Sequence, residues 1–137
     1  MGNLRPEGFD GVDLRGRTMP EEMGIVDFRG VDLRETDWRD TTSSHVNIAG
    51  ADLRGARWDF CTFKLFCHAL DLGAWEAHYN TAGARFASHE EVEAFLSAIK
   101  SDEHDIQPHL DFRECEGDVR KAKIDALCEA LRLRIEP

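Results

Sequence analysis

The side chains best suited to chemistry lie toward the end of the chain. His104, His109 and Cys115 follow one another as H-x4-H-x5-C. Imidazole and thiolate are zinc-binding types, but this spacing matches no strong zinc pattern and lies in a loop-like stretch. Asp102 and Asp105 could in principle share a proton in acid–base work. They sit in a run dense with carboxylates, where such pairs arise from composition and carry no sign of catalysis. Cys61, Cys67, Cys115 and Cys128 contain no C-x-x-C pair. A reducing compartment keeps them as thiols, so they read as structural, Cys61 as a core residue. His45, His68 and His78 have no obvious partner. The chain has no Gly-rich phosphate loop, G-x-S-x-G elbow or H-E-x-x-H, so the residues point to no enzyme, no metal site and no cofactor.

What remains is charge. The 137 residues carry 27 Asp and Glu against 17 Lys and Arg, a formal net charge of −10. Such a chain does not bind a phosphate backbone or an anionic lipid surface and suits a basic partner instead. No run of 18 or more residues is apolar, and Met1-Gly2-Asn3-Leu4-Arg5-Pro6 lacks the apolar stretch of a signal peptide. The expected location is therefore the cytoplasm of a bacterial or phage-infected cell, away from any membrane. The charge is unevenly spread. Between His89 and Asp118 stand Glu90, Glu91, Glu93, Asp102, Glu103, Asp105, Asp111, Glu114, Glu116 and Asp118 against only Lys100 and Arg113, a net of −8. Clustered carboxylates without interleaved cations can imitate a phosphate backbone. The alternative is a solvated helix face and loop, with Glu90 to Glu93 favoured by the helix dipole.

The elements that must position these residues begin with a repeat. From Val26 the chain reads VDFRG, VDLRE, TDWRD, TTSSH, VNIAG, ADLRG, ARWDF, CTFKL without a gap to Leu65. Seven of the eight third positions are large and apolar, Ser43 being the exception, and all the first positions are small or β-branched. A period of five fits neither a helix nor an alternating strand. It fits a chain that turns a corner every five residues. Ser43 then marks a corner distortion or a polar pocket. Asp27, Asp32, Asp37 and Asp52 stand two residues before Arg29, Arg34, Arg39 and Arg54, so their charges compensate: seven acidic and six basic residues lie between Val26 and Leu65.

These quintets, Ala51-Asp52-Leu53-Arg54-Gly55 most plainly, resemble the pentapeptide-repeat family over about residues 2–74. The resemblance implies a right-handed, four-sided β-helix with one quintet per side and four per coil. The third and first residues of each quintet then point inward, and Phe28, Trp38, Ile48 and Trp58 fall in the central stack. Val12-Asp13-Leu14-Arg15-Gly16, preceded by Leu4 and Phe9, suggests an imperfect first coil. The nine residues Arg17 to Ile25, with Pro20, are not a multiple of five and are expected to bulge as a loop. Leu70-Asp71-Leu72-Gly73-Ala74 reads as a last quintet. Two domains follow: a pentapeptide-repeat β-helix over 1–74 and an acidic α/β region with capping helices over 75–137. Family members that mimic DNA and bind gyrase imply the same reading for an acidic relative.

In the second region Trp75–Tyr79 and Ala84–Ala87 could pair as a hairpin. Ser88 and Glu91 form an S-x-x-E capping box, and Val92, Phe95, Leu96 and Ile99 recur at helical spacing, which predicts a helix ending near Lys100. After Pro108, in a polar loop, a second helix is expected from about Asp118 with Ile124, Leu127, Cys128 and Leu131 on one face. Ile124, Leu127 and Leu131 either cap the exposed end of the coil or form a homodimer interface. The expected fold class is mainly β with α, a short β-helix followed by capping helices. The expected function is that of an acidic, non-enzymatic binding protein. It would inhibit a nucleic-acid-handling complex of the anti-CRISPR or gyrase type by placing the carboxylates of residues 90–118 in a basic groove. The alternative is a structural or scaffolding repeat module without inhibitory activity.

Overall fold

The computed structural model describes residues 13–59, 61–64, 81–100, 112–113 and 115–137. The elements are β1 (Glu22–Asp27), β2 (Thr42–Asn47), β3 (Thr62–Lys64), β4 (Arg85–Phe86), α1 (His89–Ala98), β5 (Ile99–Lys100), α2 (Gly117–Leu131) and β6 (Arg134–Ile135). β1, β2, β3 and β5 form one parallel sheet in that order, and β4 pairs in parallel with β6. Glu22 pairs with Thr42 and Thr42 with Thr62, an interval of twenty residues. The bridges Asp32↔Asp52 and Asp37↔Arg57 keep the same interval on other sides. Twenty is four quintets, so the backbone stacks in hydrogen-bonded layers at that interval. Ser43 lies within β2, in unbroken register with Met23 and Phe63, so the polar third position does not distort a corner.

The nine-residue spacing before Val26 is absorbed differently from the expected loop. Met19 N–H donates to Asp37 O at 2.8 Å, Thr18 bridges Asp37, and β1 begins in register at Glu22. Thr18↔Asp37 spans one residue fewer than Glu22↔Thr42, so the corner at Pro20-Glu21 is one residue short and the segment stays in the stack. Thr41 Oγ1, one layer on, donates to Pro20 O at 3.0 Å and takes up a carbonyl whose own residue has no N–H to give.

Layering continues beyond residue 74. Where an unbroken count would bring residue 72 over Asp52, Arg85 stands instead. Gly50 N–H donates to Ala82 O, Leu53 N–H to Arg85 O, and Gly83 N–H in turn to Arg132 O. Gly83 lies at φ +82° directly over Gly50, whose backbone a Cβ would meet at 3.6 Å. Ala84-Arg85-Phe86 thus repeats the small–polar–large pattern of Ala51-Asp52-Leu53. Arg85–Phe86 does not close the expected hairpin, because its partners are Asp52 on one side and β6, in parallel, on the other. The other proposed arm, 75–79, lies outside the described residues, as do Leu4, Phe9, Val12, the quintet 70–74, Cys67, His68, His78, His104, Pro108 and His109.

α1 begins as the capping box requires: Glu91 N–H donates to Ser88 Oγ at 3.2 Å. It stops at Ala98, and Ile99–Lys100 turn into β5 beside β3, earlier than the apolar spacing alone predicts. Ile99 is buried all the same. The core is continuous. Phe28 meets Trp38 edge-on at 6.0 Å, Trp38 stacks on Trp58 at 4.9 Å, Trp58 meets Phe95 at 5.0 Å and Phe95 meets Phe86 at 5.1 Å. The expected inward positions Phe28, Leu33, Trp38, Ile48, Leu53, Trp58 and Cys61 are all buried. Ile124, Leu127 and Leu131 are 2%, 3% and 0% exposed within the single chain and belong to the same core. That face of α2 is already covered, leaving little of it for a second copy.

Candidate interaction surface

The outward side of the layers is built from one unit. In Asp13/Arg15, Asp27/Arg29, Asp32/Arg34, Asp37/Arg39 and Asp52/Arg54, the carboxylate accepts the backbone N–H of the arginine two residues on at 2.9–3.2 Å. The same carboxylate accepts Nε of that arginine at 2.8–2.9 Å. Asn47 does the backbone part alone, accepting from Ala49 N–H at 3.0 Å. The side chain therefore satisfies a turn N–H and fixes the guanidinium of the same turn beside it. On one side the units link across layers: Arg15 Nε to Asp32 at 3.7 Å, Arg34 Nε to Asp52 at 3.7 Å, Arg85 to Asp52 at 3.4 Å and Arg85 to Glu136 at 3.8 Å.

These contacts set the proton affinities. Hydrogen bonds from Arg15 and Arg39 hold Asp13 and Asp37 down at about 2. At Asp52, burial pushes the carboxyl up, and the bonds from Arg54 with the nearby charge of Arg85 outweigh it, so the net movement is downward. Burial alone lifts the Cys61 thiol to about 12 and, with help from Asp125, Cys128 to about 11, so neither is a thiolate near neutrality. The coil surface is thus ionised and internally neutralised, as the spacing of its Asp and Arg residues suggests.

The acidic segment meets a mixed fate. Glu90 is exposed in the first turn of α1. Glu91 is engaged: its carboxylate accepts Gly55 N–H at 3.0 and 3.1 Å and Ala87 N–H at 2.9 Å. Glu93 pairs with Arg120 Nε at 3.2 Å. Glu116 and Asp118 stand exposed at the start of α2, the first as an N-cap without a side-chain hydrogen bond. Asp102, Glu103, Asp105, Asp111 and Glu114 lie outside the described residues. Between α1 and α2 an open cleft of about 680 Å³ is lined in part by His89, Glu90, Glu93, Arg120, Lys121 and Ile135. Within it Glu93 faces Arg120, and His89 Nε2 lies 2.8 Å from Asp125 Oδ1, tying the helices together. Among the described residues no group of three or more His, Cys, Asp or Glu could hold a metal ion, and no helix is long and apolar enough to cross a membrane.

Sequence reasoning missed Arg85, Arg134 and Glu136, which complete the charged column at the end of the stack, Arg134 Nε meeting Glu136 at 3.0 Å. The triplet Ala84-Arg85-Phe86 carried a signal for the first of them. Residues 26–57 match the family described as pentapeptide repeats (8 copies). This segment is a pentapeptide repeat. No curated protein and no solved structure matches the chain. The pentapeptide repeat explains the twenty-residue register and the inward aromatic column. The match ends before α1 and α2.

Proposed function

We propose that the protein is a non-enzymatic binding module whose pentapeptide repeat winds as a right-handed, four-sided β-helix and carries an acidic surface shaped for a basic groove. The groove belongs to a nucleic-acid-handling complex, of the gyrase type or the CRISPR-interference type, and the module inhibits that complex by occupying the place of DNA. The observation that carries this reading is the division of charge. Each coil Asp named above is tied to its own arginine, while the chain's net charge of −10 is concentrated between residues 89 and 118. Exposed Glu90, Glu116 and Asp118 belong to that excess, whereas Glu91 and Glu93 are held by internal partners and contribute little to a surface.

Binding to purified gyrase and to a CRISPR interference complex should weaken as salt rises and should compete with duplex DNA. Changing Glu90, Asp102, Glu103 and Asp105 together to Lys should slow association at least tenfold and abolish inhibition. Asp27 and Asp32 would be poor controls because they cap turns, so exposed Glu21 and Glu22 are reversed instead, with little expected effect. Loss of activity in the coil variant but not in the segment variant would place the site on the coil. No binding to either complex at low salt favours the scaffolding alternative, which the internally neutralised coil wall supports.

A further inference from the structure

We propose that the cleft between α1 and α2 is a binding site for a short peptide with two free ends and an apolar side chain. The helices run in opposite directions along it, since His89 at the start of α1 meets Asp125 at 2.8 Å and Glu93, one turn on, meets Arg120 at 3.2 Å. These pairs engage four polar side chains and fix the spacing of the walls. Two charges are left over. Glu90 on α1 and Lys121 on α2 both line the cleft and are both exposed. Among the described residues neither has a hydrogen-bond or ion-pair partner. Buried Ile124 and half-buried Ile135 supply apolar surface to the same space.

Charge and length select the occupant. A ligand that satisfies both walls carries an ammonium for Glu90, a carboxylate for Lys121 and an apolar group between them. A free α-amino acid has both charges on one carbon and serves one wall at a time. Packed helices lie about 8–10 Å apart axis to axis, and three extended residues span about 10 Å, so the ends of a tripeptide reach both walls together. The cleft volume of about 680 Å³ lies within the range of small-ligand sites and accommodates one such molecule. A polyanion such as a nucleotide is disfavoured, because Glu90 and Glu93 line the same space. The site is separate from the DNA-groove reading: Glu90 belongs to that acidic surface as well, but the peptide is bound by the chain alone, with no complex present.

Calorimetric titration of the full chain with Ala-Leu-Ala should give a Kd on the order of 0.1–1 mM, ordinary for a ligand of that size. The peptide should also shift the methyl resonances of Ile124 and Ile135. Acetylating its amine or amidating its carboxylate should each weaken binding about three- to fivefold, the upper range for a partly exposed ion pair. Glu90→Gln should remove the penalty for acetylation only, and Lys121→Met the penalty for amidation only. Glu129→Gln, exposed on α2 outside the cleft lining, should change neither. The proposal is overturned if Ala-Leu-Ala gives neither heat nor methyl shifts at about 10 mM, if leucine alone binds as tightly, or if blocking either end costs less than about twofold. Penalties that survive Glu90→Gln and Lys121→Met place the peptide elsewhere on the chain and refute the site. The blocked peptides and methyl shifts are measured on the unaltered chain, so they decide even where a variant fails to fold.

Discussion

Asp52 has a side chain only 5% exposed, yet it lies against three guanidinium groups, those of Arg54, Arg34 and Arg85. A carboxylate so placed is stable only because cations and a backbone N–H replace the lost water. Its counterparts Asp13 and Asp37 are more open and show the consequence in their proton affinity, held at about 2 against an ordinary 3.8. All of these groups bind protons less readily in the folded chain than in the unfolded one. The stability they contribute is therefore complete above an unfolded-chain value near 4 and is lost as the pH falls toward 2. Urea midpoints measured from pH 7 downward should hold level to about pH 4.5 and then drop steeply between pH 4 and 2, where this linkage operates. Asp37→Asn should make that drop shallower. A midpoint that stays flat through the acid range would show that the Asp–Arg units do not couple to folding.

α1 takes the place of the next coil on one side, and Glu91 is the residue that makes the exchange possible. In the lower layers the corner N–H donates upward to a carbonyl: Gly16 to Arg34 O at 3.0 Å and Glu35 to Arg54 O at 2.9 Å. Among the described residues no such carbonyl accepts from Gly55; the Glu91 carboxylate accepts its N–H instead while also accepting that of Ala87. Replacing Glu91 with Ala should cost about 1–3 kcal/mol in chemical unfolding, and Glu91→Gln clearly less, because an amide oxygen still accepts. Equal losses would mean that the charge, not the acceptor, matters. The S-x-x-E signature made the helix start legible, as the quintets made the register and inward column legible, because both repeat within a short window. The one-residue-short corner at Pro20 and the re-entry at Ala84-Arg85-Phe86 were not, since each breaks the count on which the reading depends. Two-residue strands such as β4 and β6 are too short to show any period. The charge excess could likewise be counted, but the commitment of Glu91 to Gly55 and of Glu93 to Arg120 follows from contacts across 36 and 27 positions of sequence.

Repeat and helices share one interior. Each layer alone exposes apolar surface above and below, and a stack must be closed where it ends. α2 supplies that closure, with Leu131 fully buried, Thr81 Oγ1 donating to Leu131 O at 2.7 Å, and Gly83 N–H reaching Arg132 O. The aromatic chain from Phe28 to Phe86 runs through Phe95 of α1, so the two parts should melt together. Tryptophan fluorescence of a Trp75→Phe chain, which reports Trp38 and Trp58, and far-ultraviolet dichroism, which reports the helices, should give coincident transitions. If α2 closes the stack, Leu127→Glu with Leu131→Glu puts two unpaired carboxylates into that shared interior. The single chain should then lose more than about 3 kcal/mol and lose the repeat's fluorescence transition with the helix signal. Val119→Glu, on the 66% exposed side of the same helix, should change stability by no more than about 0.5 kcal/mol. A folded, cooperative monomer from the double variant would mean that these leucines are not needed for closure and serve a surface instead. Loss of the helix signal with an intact Trp38–Trp58 transition would mean that the pentapeptide repeat stands without its cap.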